Sequence, residues 1–355
     1  MILFLILALA GIAYTSIHIW LILPLPVLGK SLLTGLWLLC FIVIFPHFLW
    51  GDKIPAWLAT ATYIIGTSWM IAFVYTLFAF LLLDIGRLIR LVPAQFLRDS
   101  LSGTLSVAGA ITVLLVYGGF HYHHKYREEI DIKTGKMLER PLTIVLASDI
   151  HAGYHNRRAE LSRWIGLINA EKPDLVLFAG DILDGAIRPA EEWHYEEVFR
   201  DIQAPVFTCV GNHEYLTGLA RSESFFREAG IRLLKDESAE ACGIRVIGRD
   251  DRSNRDRLPL KDLAGADSLF TLLLDHQPCH LEEAEAARID FQFSGHTHHG
   301  QIWPGNWITD AMYEKAFGAH RRGNTRYYVS SGLGIWGGKF RIGTRSEYLV
   351  LRLHN

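Results

Sequence analysis

The chain has 355 residues and a formal net charge of −2, with half of its residues hydrophobic and 20% charged. That balance excludes a nucleic-acid binder working through a basic surface. Because the mean hydropathy of +0.19 is high for so many charges, apolar character must be concentrated in part of the chain, which favours one soluble domain plus membrane segments over several soluble domains.

No Asp, Glu, Lys or Arg occurs in residues 1–23, 31–50, 56–83 or 101–122. Each run reaches the ~20 residues that a helix needs to cross a bilayer, so residues 1–122 predict four transmembrane helices. A secretory signal peptide is the alternative for the first run. It lacks the basic start of such a peptide, and three more apolar runs follow. Residues 84–100, DIGRLIRLVPAQFLRDS, mix Arg87, Arg90 and Arg98 with Leu, Ile, Val and Phe, the pattern of an amphipathic interfacial segment. Four spans put the N-terminus and the C-terminal domain on one side. The uncharged N-terminus and the three arginines of this loop predict an extracytoplasmic domain, the cytoplasmic face being the alternative. His121, His123 and His124 around Tyr122 fit an interfacial belt better than a metal site. Cys40, Cys209, Cys242 and Cys279 have no CxxC spacing, and the place of Cys40 in a span and Cys209 in an apolar strand suggests buried thiols rather than a disulfide framework.

Residues 123–141 read as a linker, and 142–355 as one α/β domain. Apolar, β-branched runs at 142–147, 174–179, 205–210 and 269–274 predict buried strands, and 156–171 and 190–200 predict helices between them. A shorter alternation at 290–293 precedes Ser294-Gly295-His296-Thr297-His298-His299-Gly300-Gln301. In such sheets, sites form just past the carboxyl ends of the strands. There stand Asp149 and His151, Asp181 and Asp184, Asn212, His213 and Glu214, His276, then His296 and His298. One such residue past a strand is ordinarily a cap or turn former. Five strand ends loaded alike indicate a shared metal site. Carboxylate and imidazole without thiolate favour Mn, Fe or Zn in a catalytic setting, and the number of ligands suffices for two ions.

The series DxH, GDxxD, GNHE, a lone His before Pro, and GHTHxGQ resembles the calcineurin-like metallophosphoesterases over residues 143–353. With the preceding spans it looks like the branch called transmembrane protein with metallophosphoesterase domain. The resemblance implies a four-layer αββα sandwich, with residues 244–247, 326–329 and 348–353 in its second sheet. It implies that Asp149, His151, Asp181 and His298 hold one divalent ion, and that Asp181 is shared with a second ion completed by Asn212, His276 and His296. It implies for His213 a meeting with the phosphate and protonation of the leaving oxygen. Asp184 and Glu214 would orient ligands, or be solvated turn carboxylates. His299 departs from the branch, which commonly has Gly there.

Residues 302–324 follow the histidine turn and carry Trp303, Trp307, Met312, Tyr313 and Phe317, then Lys315, His320, Arg321 and Arg322. They read either as a packed connector or as a rim against membrane lipid, with Trp336, Lys339 and Arg341 near it and Arg341 pairing with a phosphate. The expected function is a membrane-anchored, dinuclear-metal phosphoester hydrolase acting on a phosphorylated or phosphodiester lipid. A non-catalytic metal-binding sensor or scaffold is the alternative; no ligand of the set is missing, nor is His213.

Overall fold

The computed structural model describes residues 2–51, 53–265 and 268–355. It divides into two compact units, Met1–Phe120 with Gly337–Phe340, and His121–Trp336 with Arg341–Asn355.

The first unit is helical: α1 (Ile2–Ile22), α2 (Val27–Ile42), α3 (Phe45–Trp50), α4 (Ala56–Leu88) and α5 (Leu101–His123), whose last residues belong to the second unit. Among the described residues, four stretches are long and apolar enough to cross a membrane, with α2 and α3 together making one of 24 residues. Pro46 sits in the first turn of α3, where its ring would meet the carbonyl of Ile42 in a continuous helix, and α2 stops there. Gly66 lets α4 lie against Ile44, since a Cβ at Gly66 would stand 2.4 Å from the Ile44 Cβ.

The interfacial segment expected at 84–100 is not a helix of its own. Its first residues, Asp84 to Leu88, are the last turn of α4. The backbone leaves the helix ahead of Pro93, which disfavours helical geometry in the residue before it. A short 3-10 turn, Ala94–Leu97, then buries Leu97 against Ile22, Leu23 and Phe80. Asp84 accepts from the Tyr14 hydroxyl at 2.8 Å and lies 3.1 Å from His18 Nε2, joining α4 to α1.

The second unit holds two six-stranded sheets. The first contains β1 (Lys125–Lys133), β2 (Leu142–Ala147), β3 (Leu175–Phe178), β4 (Val206–Thr208), β5 (Ile231–Leu233) and β12 (Ser346–His354) in the order β1-β12-β2-β3-β4-β5. The second contains β6 (Glu237–Ala241), β7 (Ile244–Gly248), β8 (Thr271–Leu274), β9 (Phe291–Ser294), β10 (Gly318–Arg322) and β11 (Thr325–Val329) in the order β10-β11-β9-β8-β7-β6. Neighbours from β2 to β5 are parallel, as are those from β7 through β8 and β9 to β11.

The period of two along the strands builds the layers. Ile144 and Leu146 of β2 enter a core with Leu175, Leu177, Leu272, Leu274, Phe291 and Phe293, which lies between the sheets. Val145 and Ala147 face the other way. They pack with Leu161, Trp164 and Ile165 of α6 (Arg158–Ala170), Phe199 of α8 (Tyr195–Arg200) and Phe226 of α10 (Leu219–Glu228). Beyond the second sheet, Ile247 and Leu273 meet Leu281 and Ala284 of α11 (Leu281–Ala286). The result is the αββα sandwich.

Three expectations are corrected. The linker at 123–141 contains β1, which pairs in parallel with the whole of β12. Residues 348–353 belong to the first sheet, where β12 runs antiparallel to β2; Leu349, Leu351 and Leu353 fill the inter-sheet core while Tyr348 and Val350 fill the helical one. The helix expected at 190–200 is two, α7 (Arg188–Glu192) and α8, broken at His194, whose φ of 51° is left-handed.

Candidate metal centre

Five parallel strands end at one place. β2 delivers Asp149 and His151, β3 delivers Asp181 and Asp184, and β4 opens into α9 (Asn212–Thr217) with Asn212, His213 and Glu214. β8 is followed by His276, and β9 by His296 and His298. Asp149, His151 and His298 offer ligand atoms within 4.8 Å of one another, and so do Asp181, His276 and His296. Asn212 joins the second group, its Oδ1 lying 2.8 Å from His296 Nδ1 and 3.2 Å from His276 Nε2.

The backbone is bent to achieve this. Asp149, His151, Asp181, His296 and His298 all have φ between 48° and 70°. Left-handed geometry costs a non-glycine residue about 1–3 kcal/mol and persists only where the surroundings enforce it, typically at functional sites. Two glycines supply the close approaches. A Cβ at Gly295 would lie 2.2 Å from Asp149 Oδ2, and one at Gly211 would lie 2.2 Å from Asp181 Oδ1. Their absence lets the His296 N–H donate to both Asp149 oxygens at 3.1 Å, and the His213 N–H donate to Asp181 Oδ1 at 2.8 Å.

The donor set fits a divalent cation. Ala179 O lies 2.7 Å from His276 Nδ1, the geometry of an N–H donor that leaves Nε2 bare beside Asp181 Oδ2 at 3.1 Å. Asp184 Oδ1 stands 3.1 Å from His151 Nδ1 as an ion-pair contact, and His151 Nε2 faces His298 Nε2 at 3.1 Å. Two ring nitrogens so close, with Asp149 and Asp181 oxygens 3.5–3.9 Å away, form a cradle for positive charge. Burial alone would raise Asp181, but the charge and contact of His276 hold its carboxyl well below the usual range. Burial, then the neighbouring His151, lowers both His213 and His298.

Glu214 is fully buried and is not a solvated turn residue. Its carboxylate accepts from the N–H groups of Asp181, Gly211, Ile182 and Leu183 at 2.8–3.2 Å, tying the β3 and β4 turns together. Burial, reinforced by Asp181, pushes it up to about 7.

A family model for the calcineurin-like phosphoesterases matches residues 142–300. The Bacillus subtilis protein named uncharacterized metallophosphoesterase YkuE is 31% identical over 285 residues, 73% of this chain and 96% of its own. The chain belongs to the calcineurin-like phosphoesterases. A Danio rerio relative named transmembrane protein with metallophosphoesterase domain is 29% identical over 331 residues, covering 83% of this chain and 74% of the relative. The Campylobacter jejuni uncharacterized metallophosphoesterase Cj0846 is 30% identical over 255 residues, 68% of this chain and 67% of the relative. Two Helicobacter pylori relatives are spanned over 60% of their length.

Two residues expected at the rim of this phosphoesterase site lie elsewhere. Arg341 is wholly buried; its guanidinium donates to the carbonyls of His298, Ser331 and Gly334 and to the Ser346 hydroxyl, so it braces the histidine turn instead of meeting a phosphate. His299 stacks on Phe317 with ring centroids 4.5 Å apart and has Asp310 3.6 Å from its Nε2, outside both ligand groups. Trp303 is 41% exposed and does lie at the surface. Asp250 and Asp251 are not among the residues that the sequence singled out. They stand just past the end of β7, where the same strand-end argument applies, and the Tyr215 hydroxyl donates to Asp250 while the Gln277 amide donates to Asp251.

Proposed function

We propose that the chain is a membrane-anchored hydrolase of phosphate esters and that its substrate is a phosphorylated or phosphodiester lipid. The observation that carries the hydrolase reading is the convergence of seven Asp, Asn and His side chains in two adjacent groups, five of them on left-handed backbone, with His213 beside them.

Asp149, His151, Asp181 and His298 would hold one ion, and Asp181, Asn212, His276 and His296 the other. Two divalent ions of the Mn, Fe or Zn type would supply Lewis-acid charge to the phosphoryl oxygens and make water acidic enough to attack. The protein's own part is orientation and proton transfer. The Ala179 carbonyl sets the tautomer of His276, the Asp184 carboxylate stands beside His151 Nδ1, and Glu214 fixes the turn that carries Asp181. The His213 ring packs edge-on to His151 at 4.5 Å, is partly open to solvent, and has Asp184 Oδ1 4.0 Å from its Nδ1. Its place suits a group that gives a proton to the leaving oxygen; burial and then His151 lower it, and Asp181 and then Asp184 oppose them.

The lipid reading is supported by α12 (Gly305–Met312), which follows the histidine turn and leaves Trp307, Ile308 and Met312 more than 60% exposed. Exposed indoles and aliphatic chains settle at headgroup depth. The spans supply the anchor, and the arginines at Arg87, Arg90 and Arg98 favour an extracytoplasmic catalytic domain. Protease added to intact spheroplasts is expected to cut that domain; protection until lysis would put it on the cytoplasmic face.

The test of the main reading is metal analysis of the full chain purified in detergent, with hydrolysis followed on a panel of phosphomonoesters and phosphodiesters, soluble and lipid. Two bound metals per chain with turnover of at least one ester class is the expected result. A metal-loaded protein that cleaves none of them would return the chain to the sensor or scaffold reading.

A further inference from the structure

Tyr122 stands in the last turn of α5, the fourth stretch apolar enough to span a membrane, where the helix already belongs to the second unit. Its histidine neighbours suggest an interfacial belt. The side chain is instead wholly buried, in the core that contains Val145, Ala147 and Ile150, and its hydroxyl donates to Asn156 Oδ1 at 2.6 Å. Lys125 closes over the ring, its Nζ 3.8 Å from the centroid and donating to the Tyr122 carbonyl at 2.9 Å.

Asn156 is fully buried too. Because the phenol takes its oxygen, its amide nitrogen is turned the other way. There Nδ2 donates to the carbonyls of Ile150 and His151 at 3.0 Å and of Ile335 at 3.2 Å. Two N–H bonds are thus shared among three carbonyls, one of them belonging to a proposed metal ligand. The loop from His151 folds back to allow the reach, with the Gly153 N–H donating to the Asn156 carbonyl at 3.2 Å.

Ile335 belongs to a strap that runs along the same ligands. The Leu333 and Gly334 N–H groups donate to the Ser148 and Asp149 carbonyls at 3.0 and 2.9 Å, and Arg341 joins the Gly334 carbonyl to that of His298. Asn156 therefore ties together the backbone segments that carry or brace Asp149, His151 and His298, the ligand group of the first ion. Asp149 and His151 have φ of 54° and 48°, a left-handed geometry that persists only where the surroundings enforce it.

We infer that Asn156 is a positioning residue for the ligands of the first ion, and that Tyr122 acts through it by fixing which end of the amide faces the carbonyls. The end of the fourth span is thereby part of the scaffold of the metal centre. The inference rests on reading the two ligand groups as that centre.

The experiment uses the full chain in detergent. Mn(II) is titrated in and the free ion is counted by its paramagnetic resonance; the wild type should bind two ions per chain. Tyr122→Phe keeps the ring and removes only the hydroxyl. It should weaken one of the two ions roughly tenfold, the lower end of what groups behind a metal ligand contribute. Asn156→Ala should weaken the same ion at least as much. The double variant should match Asn156→Ala alone, because the phenol then has nothing to act through. Tyr327→Phe is the control: it removes an equally buried hydroxyl, which donates to the Leu281 carbonyl at 2.7 Å in the core beyond the second sheet, and it should keep both ions. Wild-type Mn binding by Tyr122→Phe, an equal loss in Tyr327→Phe, or additive losses in the double variant would each overturn the inference. Amide exchange of residues 149–156 in the metal-free chain should also be faster in Tyr122→Phe. A wild type that takes up no Mn counts against the metal-centre reading, and the exchange rates then decide Tyr122 on their own; unchanged rates overturn its role.

Discussion

Asp184 holds one carboxylate oxygen 3.1 Å from the Nδ1 of His151, and the same oxygen is 4.0 Å from the Nδ1 of His213. One carboxylate thus serves both a candidate metal ligand and the candidate acid. Groups behind a ligating histidine fix its tautomer and raise its basicity, and their loss typically costs ~10–100-fold in metal affinity or activity. Asp184→Asn should weaken metal retention on that scale, read as metal content after dialysis against graded chelator. Wild-type retention would reduce Asp184 to a packing residue, consistent with its Cβ lying 2.7 Å from where a Cβ on Gly153 would be.

Asp181 and His213 should separate metal holding from chemistry. Asp181→Asn keeps the shape but removes the carboxylate proposed to be shared by the two ions, so bound metal should fall below two per chain and activity at least ~100-fold. His213→Ala should keep both metals and slow turnover ~10²–10⁴-fold, most for esters with poor leaving groups. Loss of a metal from the His213 variant would make it a ligand through its contact with His151, and the proposed division of roles would be wrong.

The strand ends were readable because each candidate ligand follows a continuous apolar run, so local pattern alone put Asp149, Asp181, Asn212, His276 and His296 at the same edge. What local pattern lacked was partnership. KYREEIDIK at β1 is heavily charged and reads as linker; it is a strand because the backbone of β12 is free to pair with it. Nothing near Arg341 in the sequence says that three carbonyls and a hydroxyl surround it. In the Asp250 to Arg257 stretch, nothing local announces that Tyr215, Asp275 and Gln277 from other loops partner its charges. Phe317 reads as a free aromatic until His299 is found stacked on it.

The edge formed by β1 should be sensitive to acid. Glu171, at the end of α6, accepts from Arg127 of β1 at 2.7 and 3.0 Å and from the Tyr348 hydroxyl of β12 at 3.2 Å. The hydrogen bonds from Arg127 lower its carboxyl below the ordinary 4.5. A depressed carboxylate contributes stability that is present above the unfolded value and is lost as the pH falls through the folded one. Wild type should therefore melt above Glu171→Gln at neutral pH, and the gap should close as the pH is lowered below about 4.5. A gap that stays constant, or widens, would show that the difference comes from packing and not from the charge.

The lipid reading can be tested on α12 without touching the metal centre. The sequence offered Trp303, Trp307 and Phe317 as the lipid-facing group and the basic end at 320–322 as the partner of anionic headgroups. The fold redistributes these roles. Phe317 is committed to His299, and Arg322 to Glu314 and Glu285 at 2.8–3.1 Å, which leaves it little charge to offer a membrane. The exposed apolar surface is instead Trp307, Ile308 and Met312, at 63%, 61% and 70%, with Trp303 edge-on to Trp307 at 5.3 Å. Because these side chains bury little, replacing Trp307, Ile308 and Met312 together by Ser should leave the melting temperature near that of the wild type. If α12 docks on lipid, turnover of a vesicle-borne phosphoester should fall several-fold while that of a small soluble ester is kept, because the loss of apolar contact weakens surface partition alone. A parallel fall in both activities would tie α12 to the geometry of the histidine turn it follows. Unchanged activity on vesicles would leave the exposed indole as ordinary surface and remove the main support for a lipid substrate.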